Sequence, residues 1–326
     1  RLTKDIQTKN ASTRCGVGDD CAVLSYPDAE VLVTSDMLME GIHFDLTYTD
    51  MRTLGYKSAM VNISDIFAMN GIPRQLVVSI ALGKRFTVED LDAFYLGMKE
   101  ACAKWNIDIV GGDTTSSRTG LAISITCLGE AQAEQIVYRN GAKETDLICV
   151  TGDLGAAYMG LQILEREHSV YLQNPDMQPE MEGYDYILER QLKPEARTDI
   201  RGILTELGIK PTSMIDISDG LASEVLHLSD QSKVGFRVYE EKIPMDGQTI
   251  STAEEFNLNP VMTALSGGED YELLFTIAQE DYDKIKNHPD FTIIGHAVEL
   301  EQGNHLVLRG SNELAALTAQ GWDAFL

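Results

Sequence analysis

The sequence predicts a mixed α/β protein of two domains, each built on a mixed sheet with helices packed on it. Three observations lead there. The chain has 326 residues, more than one core usually organises. Strand-like apolar runs alternate with helical periodicity along its length. A polar stretch over 130–146 interrupts that alternation before it resumes. The boundary falls there, giving an N-terminal domain at 1–138 and a C-terminal domain at 139–326.

Taken in order, residues 21–26 and 31–35 read as strands, 51–69 as a helix, 75–82 as a strand and 88–105 as a helix. Strands at 107–110 and 121–128 close the first domain. The second opens with a strand at 147–151 and helices at 154–166 and 195–207. A strand at 214–217, a helix at 221–229 and a strand at 235–239 follow. After a loop come a strand at 271–277, a helix at 280–287, strands at 292–298 and 306–309, and a short terminal helix. Residues 167–186 are polar, contain Pro175 and Pro179, and read as a surface insertion.

Composition excludes several classes. Hydrophobic residues make up 44% and charged residues 24%, ordinary for a globular protein and unlike a disordered acidic chain. The 51 Asp and Glu against 26 Lys and Arg give a formal net charge of −25, with no basic run, which argues against nucleic acid as a partner. No apolar run approaches the ~20 residues of a membrane span. Arg1 opens no signal-peptide pattern, and the missing Met predicts a native stretch upstream of it. Cys15, Cys21, Cys102, Cys127 and Cys149 are scattered without C-x-x-C spacing, which predicts buried thiols in a reducing, cytoplasmic setting rather than a disulfide framework or zinc site.

The acidic residues are more informative by position. Six motifs place Asp or Glu beside Gly, Ser or Thr, several at the ends of elements: Gly16 to Asp20, Thr34-Ser35-Asp36, Asn62 to Asp65 within a helix, Gly111 to Thr115, Asp216 to Gly220 and Gly267 to Asp270. In the predicted helix at 51–69, Tyr56, Met60, Ile63 and Phe67 share one face, and Ser58, Asn62 and Asp65 share the opposite one. A solvent face normally carries Lys, Glu or Arg, so a stripe of short polar residues predicts a buried polar site. Taken singly, each motif also reads as a turn or helix cap. Taken together, short carboxylates and hydroxyls without a His or Cys cluster suit a hard divalent cation such as magnesium. Glycines beside them let backbone N–H groups approach phosphates.

Familiar alternatives are missing. There is no G-x-x-x-x-G-K-[ST], the third glycine of a dinucleotide fingerprint falls on Cys21, and there is no H-R-D catalytic loop. The glycine at 220 comes one position early for a calcium loop. None of the six histidines forms H-E-x-x-H, and no serine sits in a nucleophile elbow.

On these residues the chain resembles the thiamine-monophosphate kinase family, in the superfamily that includes aminoimidazole ribonucleotide synthetase and selenophosphate synthetase. Seven ordered blocks carry the resemblance: GVGDDCAVL (16–24), TSDMLMEGIHF (34–44), NISDIFAMNG (62–71), GGDTT (111–115), VTGDLG (150–155), DISDGL (216–221) and SGGEDYELLFT (266–276). The reactive Cys or selenocysteine of selenophosphate synthetases has no counterpart. The segment 190–197 reads R-Q-L-K-P-E-A-R where the family often has R-H-L-R-P-x-P-R.

The resemblance implies direct in-line transfer of the ATP γ-phosphoryl group to thiamine monophosphate, assisted by several Mg²⁺ ions. It implies metal ligands at Asp20, Thr34, Ser35, Asp36, Asp65, Asp113, Asp216 and Asp219, of which Asp36, Asp65, Asp113 and Asp219 count as catalytic. ATP contacts fall at Gly112, Asp113, Arg139 and Ser218, with Tyr95 near the adenine. His43, Glu269 and Trp322 would hold thiamine monophosphate. It also implies a homodimer paired through the N-terminal sheets and an active site in the cleft between domains. Two rivals remain open at this point: a related ATP-dependent enzyme acting on a purine-pathway amide, and a nucleotide- or metal-binding module without turnover.

Overall fold

The computed structural model of the chain describes residues 12–15, 19–26 and 29–319. It divides into two compact units, the first ending at Ile136 and the second beginning at Val137. No helix among the described residues is long and apolar enough to cross a membrane.

The first unit contains strands β1 (Thr13–Cys15), β2 (Ala22–Tyr26), β3 (Ala29–Met39), β4 (Ile72–Leu82), β5 (Asp108–Ser116) and β6 (Ala122–Ala131). Helices α1 (Met51–Ala68) and α2 (Val88–Trp105) complete it. The sheet order is β1-β2-β3-β6-β4-β5. Neighbours are antiparallel except β4 and β5, which run parallel because α2 supplies the crossover between them. Asp50 starts α1 by accepting the N–H groups of Arg52 and Thr53, and Thr87 with Asp90 forms a capping box on α2.

Period-two alternation assigns the two sheet faces. Leu32, Leu38, Val78, Ile80, Ile123 and Ile125 are buried on the side where α1 lies against β3, β4 and β6. The other side carries Leu24, Val31, Val33, Met37, Val77 and Leu128, with Met37 58% exposed. At the sheet edge Val110 is equally exposed, at 58%. α2 packs on α1, so α1 is buried on nearly every side. The two helices meet backbone to backbone. A Cβ on Gly55 would stand 1.9 Å from the Phe94 carbonyl oxygen, and one on Gly97 would stand 1.8 Å from that of Arg52.

The second unit holds β7 (Leu147–Thr151), α3 (Ala156–Gln173), α4 (Asp185–Leu192), α5 (Ile200–Glu206), β8 (Ser213–Asp216), α6 (Leu221–Ser232) and β9 (Gly235–Tyr239). It continues with α7 (Gly247–Glu255), α8 (Pro260–Ser266), β10 (Leu273–Ile277), α9 (Tyr282–Ile285), β11 (Phe291–Val298), β12 (His305–Val307) and β13 (Leu314–Ala316). The sheet order is β13-β12-β9-β11-β7-β10-β8, and only β9 and β12 are parallel neighbours. Val150, Ile215, Leu228, Phe236, Leu274 and Ile294 anchor the core beneath α6. A smaller cluster joins α3, α4 and α7 through Met159, Ile163, Ile187 and Ala253.

Several expectations change. The strand expected at 107–110 continues to Ser116, so the GGDTT segment lies within an edge strand rather than after one. The helix expected at 154–166 begins at Ala156 and runs to Gln173, its last two turns adding no buried apolar residue after Leu164. The expected insertion at 167–186 is therefore helical at both ends, its first residues belonging to α3 and its last two opening α4. The helix expected from Glu195 starts at Ile200, because Lys193 precedes Pro194 and Arg197 is drawn into ion pairs with Glu272 and Asp199. The loop expected before 271 contains α7 and α8, capped by Asp246 and Asn259. Near the C-terminus Leu314–Ala316 form β13, and residues 320–326, where the terminal helix is expected, lie outside the described residues.

Gly97→Ala tests the helix contact. An alanine in an exposed helix interior gains up to ~1 kcal/mol over glycine, whereas overpacking costs ~1–3 kcal/mol. Urea denaturation is expected to show Gly97→Ala less stable by ~1–3 kcal/mol. Gly202→Ala, with open space around it, should hold or gain stability.

Candidate active site

In the first unit the acidic site is built on the last turn of α1. Cys21 is fully buried and tied to that turn: its N–H donates to Met69 Sδ at 3.1 Å and its thiol to the Asp65 carbonyl at 3.4 Å. This fixes the neighbouring Asp20, which brings a carboxylate oxygen to within 4.8 Å of one from Asp65. From β3, Thr34 donates its hydroxyl to Asp65 Oδ2, and the Asp36 N–H donates to Asn62 Oδ1 at 3.2 Å. Asn62 in turn donates to the Ser58 carbonyl at 3.1 Å, and the Ser58 hydroxyl to that of Leu54 at 2.7 Å. Ser58 and Asn62 are buried, as the short polar stripe predicted.

Electrostatics make this arrangement unfavourable for protein groups alone. Asp65 lies near the negative end of the α1 dipole and beside other carboxylates. Burial pushes the Asp36 carboxyl above the ordinary carboxylate range, against a side-chain hydrogen bond with Asp65 and the pull of His43. Asp36 Oδ2 is buried and has no hydrogen-bond partner. An orphaned carboxylate oxygen beside the Asp20–Asp65 pair fits a hard cation. Next to it, His43 Nδ1 accepts the Met39 N–H at 3.0 Å, which leaves Nε2 as the ring's donor nitrogen.

In the second unit, two loops are stitched together beyond the end of the β8–β10 ladder. Ile217 N–H donates to the Glu272 carbonyl at 2.7 Å, Tyr271 N–H to that of Ile217 at 2.9 Å, and Glu269 N–H to that of Ser218 at 2.8 Å. The approach requires glycine: a Cβ on Gly268 would stand 2.4 Å from the Ser218 carbonyl oxygen. Asp216, Ser218, Asp219 and Glu269 are thereby gathered into one region. Glu224, in the first turn of α6, accepts the Asp219 N–H at 3.1 Å. Burial and then Asp216 push its carboxyl up to about 8, with Arg139 close enough to oppose the shift. Glu224 is absent from the sequence reading; its place one helical turn after Gly220 was the available signal.

Other expected residues stand elsewhere. Alternation turns the Ser35 hydroxyl to the opposite sheet face from Thr34 and Asp36, where it donates to the Ile125 carbonyl at 3.1 Å. Asp113 pairs with Ser79 in the β4–β5 register, on the face away from α1, and its Oδ1 accepts the Thr114 N–H. Neither side chain joins the Asp20–Asp65 pair. Tyr95 packs edge-on against Phe94, which faces Gly55, about 15 Å along α1 from Asp65 at 1.5 Å per residue. Gly112 has a structural reason of its own, since a Cβ there would lie 1.7 Å from the Val78 carbonyl oxygen. Trp322 lies outside the described residues.

Residues 18–131 match the family model for AIR synthase related protein, N-terminal domain. Over 97% of the chain, the sequence is 32% identical to thiamine-monophosphate kinase of Bacillus subtilis, covering 95% of that protein. The chain belongs to the thiamine-monophosphate kinase family. The Aquifex aeolicus member is also 32% identical, over 95% of this chain and 92% of its own length. Among solved structures, AaThiL complexed with AMPPCP and TMP aligns with a TM-score of 0.80 at 32% identity, covering 95% of this chain and 92% of that one. The two-sheet α/β fold is therefore the fold of this kinase family.

The close approach at Gly112 separates packing from ligand contact. Gly112→Ala is expected to lower the melting temperature of the nucleotide-free protein, by a stability loss of ~1–3 kcal/mol. An unchanged melting temperature combined with weaker ATP binding would instead assign the glycine to the nucleotide.

Proposed function

We propose that the chain transfers the γ-phosphoryl group of ATP to the phosphate of thiamine monophosphate, giving thiamine diphosphate and ADP. The observation that carries this reading is the carboxylate set on α1 and β3, with its orphaned Asp36 oxygen, in a chain of this kinase family. Asp20, Thr34, Asp36 and Asp65 in the first unit, and Asp216 and Asp219 in the second, would hold magnesium. Magnesium ions, when bound, supply charge neutralisation and orient the phosphate oxygens.

The protein's own groups need do little covalent chemistry, because phosphoryl transfer depends mainly on alignment and charge. The attacking phosphate oxygen is largely ionised near pH 7, so no strong general base is needed. His43 offers its Nε2–H to an anionic oxygen, and Arg139 can contact a phosphate through two N–H groups. Ser218 lies on the loop stitched to Glu269 and would meet the nucleotide from that side. Glu269, a carboxylate, suits the cationic thiazolium or the amino group of the acceptor rather than its phosphate.

Incubation with ATP, Mg²⁺ and thiamine monophosphate is expected to yield thiamine diphosphate and ADP, with turnover abolished by EDTA. Asp65→Asn should cut turnover by at least ~100-fold through the loss of a group that supports transition-state charge. ADP formation with a purine-pathway amide and not with thiamine monophosphate would favour the superfamily rival. ATP affinity unaltered by Asp65→Asn, without any product, would favour a binding module.

The reading includes a homodimer. The sheet face opposite α1 joins Leu24, Val31, Val33, Leu128 and Val77 across four strands, with Met37 and Ser79 exposed on it. A second copy of the same face would cover this surface, and Asp113, which stands on it, would then lie at the interface. Light scattering is expected to give twice the chain mass of 36.0 kDa, and Met37→Glu should shift the mass toward the monomer. A monomeric wild-type protein would contradict the pairing.

A further inference from the structure

The segment presenting Glu269 is strained and must be held. Glu269 and Tyr271 are both non-glycine residues in the left-handed region, at φ 65° and 51°, which costs on the order of 1 kcal/mol each. Between them Asp270, 1% exposed, turns its carboxylate inward. Its Oδ2 accepts the Gly155 N–H at 2.8 Å and its Oδ1 the Ala157 N–H at 3.4 Å, capping α3, whose own N-cap Gly155 supplies no side chain. Arg190 of α4 secures the main chain. Its Nη2 donates to the Asp270 and Asp153 carbonyls at 3.2 Å each, and its Nη1 to Glu272 Oε1 at 2.8 Å. Arg197 holds the other oxygen of Glu272 at 2.9 Å.

The adjacent residue on α4 reaches the functional carboxylate itself. Gln191, 5% exposed, donates its Nε2–H to Glu269 Oε2 at 2.8 Å. The Glu269 side chain remains half-exposed and can meet a ligand while held on that side. Without the amide donor the carboxylate loses a buried group that holds it, while its backbone stays locked by Arg190 and Asp270.

We propose that Gln191 is a positioning residue that fixes the Glu269 carboxylate for recognition of the cationic acceptor. This role rests on the kinase reading above. It predicts an effect confined to the acceptor, because the Gln191 amide donates to the Glu269 carboxylate.

The test is steady-state kinetics of the full chain with Mg²⁺, ATP and thiamine monophosphate, for wild type, Gln191→Leu, Gln191→His and Glu269→Gln. Gln191→Leu keeps the bulk and loses the donor; its KM for thiamine monophosphate is expected to rise ~10-fold, with kcat and the KM for ATP changing less than ~3-fold. Gln191→His retains a ring N–H and should recover most of the affinity. If Gln191 acts through Glu269, Gln191→Leu combined with Glu269→Gln should be no worse than Glu269→Gln alone. An unchanged KM in Gln191→Leu, equal rises for both substrates, or additive losses in the double variant would overturn the positioning role alone. A wild-type chain forming no thiamine diphosphate would instead fail the kinase reading, and the positioning role with it.

Discussion

Asp65 places a carboxyl group in the last turn of a helix that is packed on both sides, and the rest of the first-unit site depends on how that group is held. The helix dipole disfavours an anion there, and the Asp20 and Asp36 carboxyl groups stand nearby. Buried short polar groups answer part of the cost: Thr34 donates to Asp65, and Asn62, itself held by Ser58, fixes the backbone of Asp36. The α1–α2 contact through Gly55 and Gly97 holds the helix that carries these groups. What remains is a cluster of carboxyl groups whose mutual repulsion a bound divalent cation would offset.

The second unit meets a different constraint, the close approach of two loops. Gly268 and Gly220 let the segments around Ser218 and Glu269 share backbone hydrogen bonds. Behind them Glu272, fully paired by Arg190, Arg197 and Thr151, forms a rigid base. Breaking such a buried network by removing one partner costs far more than a surface ion pair contributes. The chemistry-bearing residues of this half therefore lie on loops whose positions are set by charges placed well below them.

Long elements with strong periodicity were readable from the residues. The helix α2 and the strands β7 and β9 lie where periodicity and turn residues put them, and α1 differs only by its last residue. The stripe of Ser58, Asn62 and Asp65 on α1 was readable because its residues are too short for a solvent face. Short helices were not: α4, α7 and α8 span 8, 9 and 7 residues, too few turns to establish a period, and tertiary packing rather than propensity stabilises them. The placement of Ser35 follows from strand alternation, a signal present in the sequence once β3 is known to be unbroken through Met39. Gln191 carried no readable signal, because the Glu269 carboxylate it touches is 78 residues away in the chain, whereas Glu224 offered only its place one helical turn after Gly220.

The most direct measurement is calorimetric binding of AMPPCP to wild type and Asp65→Asn, each with Mg²⁺ and with EDTA. A site completed by cations predicts tight binding only for wild type with Mg²⁺, and a loss of ~100-fold for Asp65→Asn under the same conditions. Equal affinity in EDTA, or equal affinity in Asp65→Asn, would contradict it.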